Sequence, residues 1–197
     1  MPPKVKITEE QILMASVDEV RENGWNNLNA RAIASRLHCS TQPIFRIYRS
    51  MEELKKAVWH RIEQIYNECM LECFQENEEG FRNMGLAYIG FATREPNLFQ
   101  TIFMSGAFKV NRIMDMVERE EEAEMIQIIA TMTGLSVQGA KEFYVEIWLM
   151  VHGIASMAAT NGCMFKEDEI KRMLGDAFLG IISQIKKREG DTNEEKG

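Results

Sequence analysis

The sequence has no apolar stretch near the roughly 20 residues that a membrane span needs. Its opening residues, MPPKVKITEEQ, hold no apolar core of the kind a secretory signal carries. Those two absences lead to the expectation of a cytoplasmic protein that makes no use of a membrane. Proline is scarce, four in 197 residues, so long segments can run as uninterrupted helix. Cysteine is scarce too. Cys39, Cys69, Cys73 and Cys163 form no Cys-x-x-Cys pair, and the plain reading is small, reduced, buried residues. His38, His60 and His152 lie far apart and no His-Glu-x-x-His occurs, so a catalytic metal has no ligand set. Residues 134–141, GLSVQGAK, approximate a phosphate-binding loop. Lys141 falls one place late, however, no Ser or Thr follows it, and no strand precedes it. No nucleophile–base pair can be argued from spacing. The expectation is a protein with no cofactor and no enzymatic chemistry.

What is present begins with charge. Lys and Arg number 23 and Asp and Glu 30, a net charge of −7, which suggests a poor partner for nucleic acid. The distribution reverses that impression. Residues 1–60 hold 9 basic and 7 acidic residues, net +2, and residues 61–197 hold 14 and 23, net −9. Arg31, Arg36, Arg46, Arg49, Lys55 and Lys56 fall within 31–56 against only Glu52 and Glu53. Lys4 and Lys6 form a short basic arm. The run Glu118 to Glu124 reads as a solvated helix face rather than a cation site.

The periodicity is helical throughout and no strand or internal repeat is evident. Thr8-Glu9-Glu10-Gln11 is a capping box, followed by a stripe at Ile12, Leu13, Ser16, Val17 and Val20 and closed by Gly24. Asn29 caps a second helix, Ala30 to Leu37. His38-Cys39 makes a tight turn, and Ser40 caps a third helix, Thr41 to Tyr48, with Pro43 in its first turn. Ser50 caps a long fourth helix with the stripe Leu54, Val58, Ile62, Ile65, Cys69 and Cys73, broken at residues 77–80. Phe81, Met84, Tyr88 and Phe91 mark the next. Residues 94–97 turn at Pro96, and residues 98–104 form a short helix. Longer helices are expected over 110–133, 137–160 and 167–188, the last with the stripe Ile170, Leu174, Phe178, Ile181 and Ile185. Residues 189–197, EGDTNEEKG, read as a disordered tail.

Helix two, the turn and helix three make a helix–turn–helix. Ala32, Ile33, Leu37, Ile44 and Ile47 pack the two helices together. Thr41, Gln42 and Arg46 stand where a recognition helix meets base edges. Gln pairs with adenine and Arg with guanine, each through two hydrogen bonds. The start of helix three, with Ser40, can hold a phosphate.

The segment LNARAIASRLHCSTQPIFRIYRSMEELKKAV (28–58) resembles the DNA-binding domain of the TetR family of transcriptional regulators. The features that carry the resemblance are Asn29, Ile33-Ala34, Leu37, Cys39-Ser40, Phe45 and Tyr48, and Ser50 with Glu52-Glu53-Leu54. YIGFATREPNLFQTIF (88–103) and IWLMVHGIASMA (147–158) resemble the ligand-binding and dimerisation domain of a branch with a Trp-x-x-x-His-Gly signature. The resemblance implies an all-α fold, with a helix–turn–helix head at 1–50, a ligand-binding and dimerisation body at 51–188, and a tail at 189–197. It implies DNA contacts from Arg31, Ser40, Thr41, Gln42, Pro43, Phe45, Arg46, Tyr48, Arg49 and Lys55. It also implies a small-molecule effector touching Tyr88, Phe91, Phe99, Phe103, Trp148 and His152. The expected assembly is a homodimer paired through its last two helices on a roughly palindromic operator, with Gly153 allowing close helix approach. Three positions depart from the family pattern. His38 stands where Gly is usual; if the position needs positive φ, His is uncommon there but tolerated. Phe45 replaces a Tyr and Met51 a Lys, which removes two expected phosphate contacts.

Two other readings stay open at this point. One is a helix–turn–helix dimer controlled by a partner protein. The other is a helical small-molecule carrier or enzyme that has lost DNA binding.

Overall fold

The computed structural model describes residues 7–72, 78–105 and 112–194, and every regular element among them is helical. Nine α-helices follow in chain order: α1 Glu9–Asn23, α2 Ala30–Arg36, α3 Gln42–Ile47, α4 Met51–Leu71, α5 Glu78–Arg94, α6 Pro96–Phe103, α7 Ala123–Thr133, α8 Val137–Asn161 and α9 Glu167–Glu194. Two compact units result. One comprises residues 1–69 with 94–108, the other 70–93 with 109–197.

In the first unit α1 packs on α2 and α6. Its core is built from Ile12, Val17, Val20, Ile33, Ile44, Leu54, Val58, Ile62, Leu98 and Phe99. Thr8 opens α1 with the expected reciprocal cap: its hydroxyl accepts from the Gln11 amide, and Gln11 Oε1 accepts from the Thr8 amide. Arg21 Nε donates to both oxygens of Glu95, just before α6, at 3.1 and 2.9 Å. Asn97 Nδ2 donates to the Arg21 carbonyl. α6 is thus bonded to the head helices, so the packing boundary does not fall at residue 50.

In the second unit α8 packs against α7 and α9. Phe143 and Phe178 meet edge to face at 4.9 Å, with Phe81 5.7 Å from the first and 6.0 Å from the second. The predicted α9 stripe is buried at Ile170, Leu174, Phe178 and Ile185. Among the described residues α8 is the one helix long and apolar enough, by length and composition, to cross a membrane. Its Phe143, Val145, Ile147, Val151 and Ile154 are instead buried in the protein, which is the pattern of a core helix.

Several expectations fail locally. Ser40 does not cap α3; Thr41 holds that position, in αR geometry and without a side-chain bond. The expected break at residues 77–80 is displaced, because Glu78–Gly80 is already helix α5. The helix expected over 110–133 begins only at Ala123, preceded by two 3-10 turns, Ile113–Met116 and Glu120–Glu122. Asp115 bonds back to the Arg112 amide, and Met116 and Val117 bury adjacent side chains. The acidic run would also set like charges one turn apart in a helix. Glu118 is drawn off to Lys141 at 2.9 Å. Of the tail expected over 189–197, residues 189–194 continue α9, and 195–197 lie outside the described residues. Glu189 accepts from the Ser136 amide at 3.2 Å and from its hydroxyl at 2.5 Å, at the start of α8.

Gly153 is not a close-approach position within the chain, since nothing lies within 4 Å of where its Cβ would stand. Gly139 is. A Cβ there would come 2.8 Å from Ile185 Cγ2 and would also meet Glu189. The glycine that resembled part of a phosphate loop is where α9 crosses α8.

Candidate nucleic-acid interface

α2 begins at Asn29, whose Oδ1 accepts from the amides of Arg31 and Ala32. It ends in a Schellman turn. The Cys39 amide donates to the Ala34 carbonyl at 2.9 Å and the His38 amide to Ser35 at 3.1 Å. His38 occupies the left-handed position at φ 51°, the only non-glycine residue with positive φ among those described. The chain therefore makes with His38 a turn that glycine makes without strain, at the cost of a side chain. α4 opens on a reciprocal cap: the Glu53 amide donates to Ser50 Oγ, and Glu53 Oε2 accepts from the Arg49 amide at 2.8 Å.

Around this frame Arg31, Ser40, Gln42, Phe45, Arg46 and Arg49 are exposed, and Thr41 and Pro43 half-buried. Phe45 is 45% exposed, a large apolar surface facing solvent beside Arg46. Met51 is half-buried. Tyr48 departs from expectation. It is 4% exposed and packs in the head core, and its hydroxyl bonds Glu9 at 3.4 Å. Burial, and next the Glu9 carboxylate, push its pKa up to about 12. A residue held this way closes the end of α3 and is removed from the exposed set.

The six basic residues of 31–56 separate into two kinds. Arg36 is bound to Glu19 at 3.2 Å and to Glu22 at 2.5 Å, tying α2 to α1. Its hydrogen bonds to Glu22 raise its pKa and hold that of Glu22 down. Lys56 pairs with Glu52 at 3.7 Å. Arg31, Arg46 and Arg49 make no ion pair with any described residue. Lys55 holds its ammonium 5.5 Å over the Trp25 ring. Sequence inspection missed Trp25 in this role. It also missed that Glu19 and Glu22, one turn apart on α1, would neutralise Arg36. What remains is three guanidiniums without an ion pair among the described residues, Arg31 on α2, Arg46 on α3 and Arg49 in the turn after it, and a lysine half-held by an indole.

The six residues expected at an effector fall into two groups. In the second unit the Tyr88 hydroxyl stands 2.9 Å from His152 Nδ1, and Trp148 stacks on the imidazole at 4.6 Å with 10° between planes. Burial lowers the His152 pKa. Phe91, also in this unit, is 2% exposed. In the first unit Phe99 is wholly buried and lies 4.9 Å from Phe103, which meets Tyr66 edge-on at 5.3 Å. A seam of about 10 Å³ in the second unit is bounded by Phe81, Arg82, Gly85, Val151, Leu174 and Phe178, a set distinct from the six. Such a space holds at most one water.

With this geometry in hand the comparisons are informative. Residues 81–177 match the family model described as "Tetracyclin repressor-like, C-terminal domain". The fold is similar to the crystal structure of a TetR-like transcriptional regulator from Rhodococcus sp. RHA1. The TM-score is 0.62 at 19% identity over 91% of this chain and 96% of that one. No curated protein matches the sequence. Residues 81–177 are thus similar to a tetracyclin repressor-like C-terminal domain, and the chain has the fold of a TetR-like transcriptional regulator.

Proposed function

We propose that the protein is a homodimeric, ligand-gated repressor acting in the cytoplasm, with a reading head over residues 1–50 and a regulated body beyond it. The observation that carries the DNA-binding face is the set of unpaired guanidiniums on Arg31, Arg46 and Arg49 beside exposed Gln42. Arg46 and Gln42 read base edges, while Arg31, Arg49 and Lys55 take phosphates. Dimerisation through α8 and α9 is supported by their exposed apolar side chains. Leu149, Gly153 and Met157 are spaced four apart on α8, and Leu179 on α9 is 64% exposed. Two heads then meet successive major grooves of a roughly palindromic operator.

Gating follows from linkage. An effector bound near Tyr88, Trp148 and His152 shifts α4, whose first turn is held to the chain after α3 by the Arg49 amide on Glu53 and by buried Leu54. The half-site spacing is lost, and DNA weakens effector binding by the same factor. The test is selection of genomic fragments on the purified protein, repeated with a metabolite panel. Recovery of a palindromic site, released by one compound class, is expected. Absence of any enriched fragment refutes the DNA-binding reading, and enrichment that no compound alters refutes the gating.

A further inference from the structure

A cleft of about 470 Å³ lies within the first unit, between the end of α1 with its following turn and one face of α6. Its walls include Asn23, Trp25, Asn26, Asn27, Asn97 and Gln100, and among the described residues no Lys, Arg, Asp or Glu lines it. The orientation of three of these carboxamides is forced, because each amide nitrogen faces an oxygen that can only accept. Asn23 Nδ2 donates to Glu19 Oε1 at 2.9 Å, Asn27 Nδ2 to the Asn23 carbonyl at 2.6 Å, and Asn97 Nδ2 to the Arg21 carbonyl at 2.9 Å. Their Oδ1 atoms are therefore the ends left to a ligand, and no described residue donates to them. The hydroxyl hydrogen of Ser105, also in the wall, is spent on the Thr101 carbonyl. Gly24 forms part of the floor at φ +82°, with Asn97 Oδ1 3.6 Å from where its Cβ would stand. The Trp25 ring already attracts one cation, the Lys55 ammonium.

We propose that this cleft is a second ligand site, separate from the effector-binding residues, for a small organic cation rich in N–H donors, a primary ammonium or guanidinium compound. Fixed carbonyl oxygens supply hydrogen-bond acceptors at no reorganisation cost, and an indole adds a cation–π face. With no carboxylate among the described wall residues, selection rests on donor geometry rather than on charge. A quaternary ammonium has no N–H and fits poorly. An occupant bridges α6 and the α1 turn, the two elements already joined through Arg21, Glu95 and Asn97.

The experiment uses the full-length protein in near-physiological salt, with agmatine as the probe and tetramethylammonium as the control. Side-chain amide and indole signals are followed by nuclear magnetic resonance. Agmatine should saturably shift the Asn23, Asn27, Asn97 and Trp25 signals, and tetramethylammonium at equal concentration should not. Asn27→Ala and Trp25→Phe should each weaken agmatine binding at least fivefold, with folding checked by circular dichroism. Asn27→Ala leaves the Arg21–Glu95 pair intact, which separates loss of the site from loss of the head fold. Equal shifts from both cations, shifts confined to the acidic surface, or unchanged affinity in both variants would overturn the proposal.

Discussion

The separation of free from committed basic residues sets a salt dependence that can be worked out before any operator is known. Each head offers Arg31, Arg46, Arg49 and Lys55, while Arg36 and Lys56 are occupied by Glu19, Glu22 and Glu52. With Arg46 at base edges, the other three neutralise about six phosphates per dimer, and log K should fall against log salt with a slope of about −5. Between 50 and 200 mM salt this is a loss of roughly 10³-fold in affinity. Arg31→Ala removes two cations per dimer and should flatten the slope by about 2. Arg36→Ala removes two formal charges as well, yet should leave the slope where it was, because those charges are neutralised in the free protein. Fluorescence anisotropy with an operator duplex at five salt concentrations measures both, and circular dichroism confirms that each variant is folded. Equal flattening by the two substitutions, or none by Arg31→Ala, would refute the assignment of free and committed charge.

Other outcomes follow from the same geometry. Tyr48→Phe should leave operator affinity unchanged, and Tyr48→Ala should lower stability by about 3 kcal/mol in denaturant melts, since a buried ring is lost. Gly139→Ala should lower stability by about 1–3 kcal/mol, because its Cβ overlaps Ile185 and Glu189 where α9 crosses α8. At position 38, Gly relieves the left-handed strain but loosens the unfolded chain. His38→Gly should therefore change stability by less than about 1 kcal/mol, while β-branched His38→Val should lower it. His152 has a lowered pKa in the folded state, so the unfolded chain binds more protons as pH falls through the ordinary histidine range. Stability should therefore decline on acidification below about pH 6.5, and His152→Gln should remove that part of the slope in melts at stepped pH.

The head was largely readable from the sequence because its signals are local. Capping by Thr8, Asn29 and Ser50 depends on residues two to four apart, and the structure shows each of those bonds. The turn at His38 was legible for the same reason. Where like charges follow one another, periodicity misled: residues 112–122 carry helical spacing but fold as 3-10 turns. The end of α9 was misjudged because its composition is polar, while the helix continues past Glu189, whose carboxylate binds the start of α8. Composition cannot show a cap supplied from 53 residues away.

By itself the sequence determined the helical class, the helix–turn–helix and the location of positive charge in an otherwise acidic chain. These rest on periodicity, caps and counts over short spans. Only the tertiary structure decided which basic residues are available. Arg36 and Arg46 are alike in sequence, and they differ because α1 brings two carboxylates to one and none to the other. It also decided that Tyr48 is buried, that Gly139 rather than Gly153 marks the helix crossing, and that α6 bonds to α1. Each of these depends on distances between residues far apart in the chain, which a linear pattern does not contain.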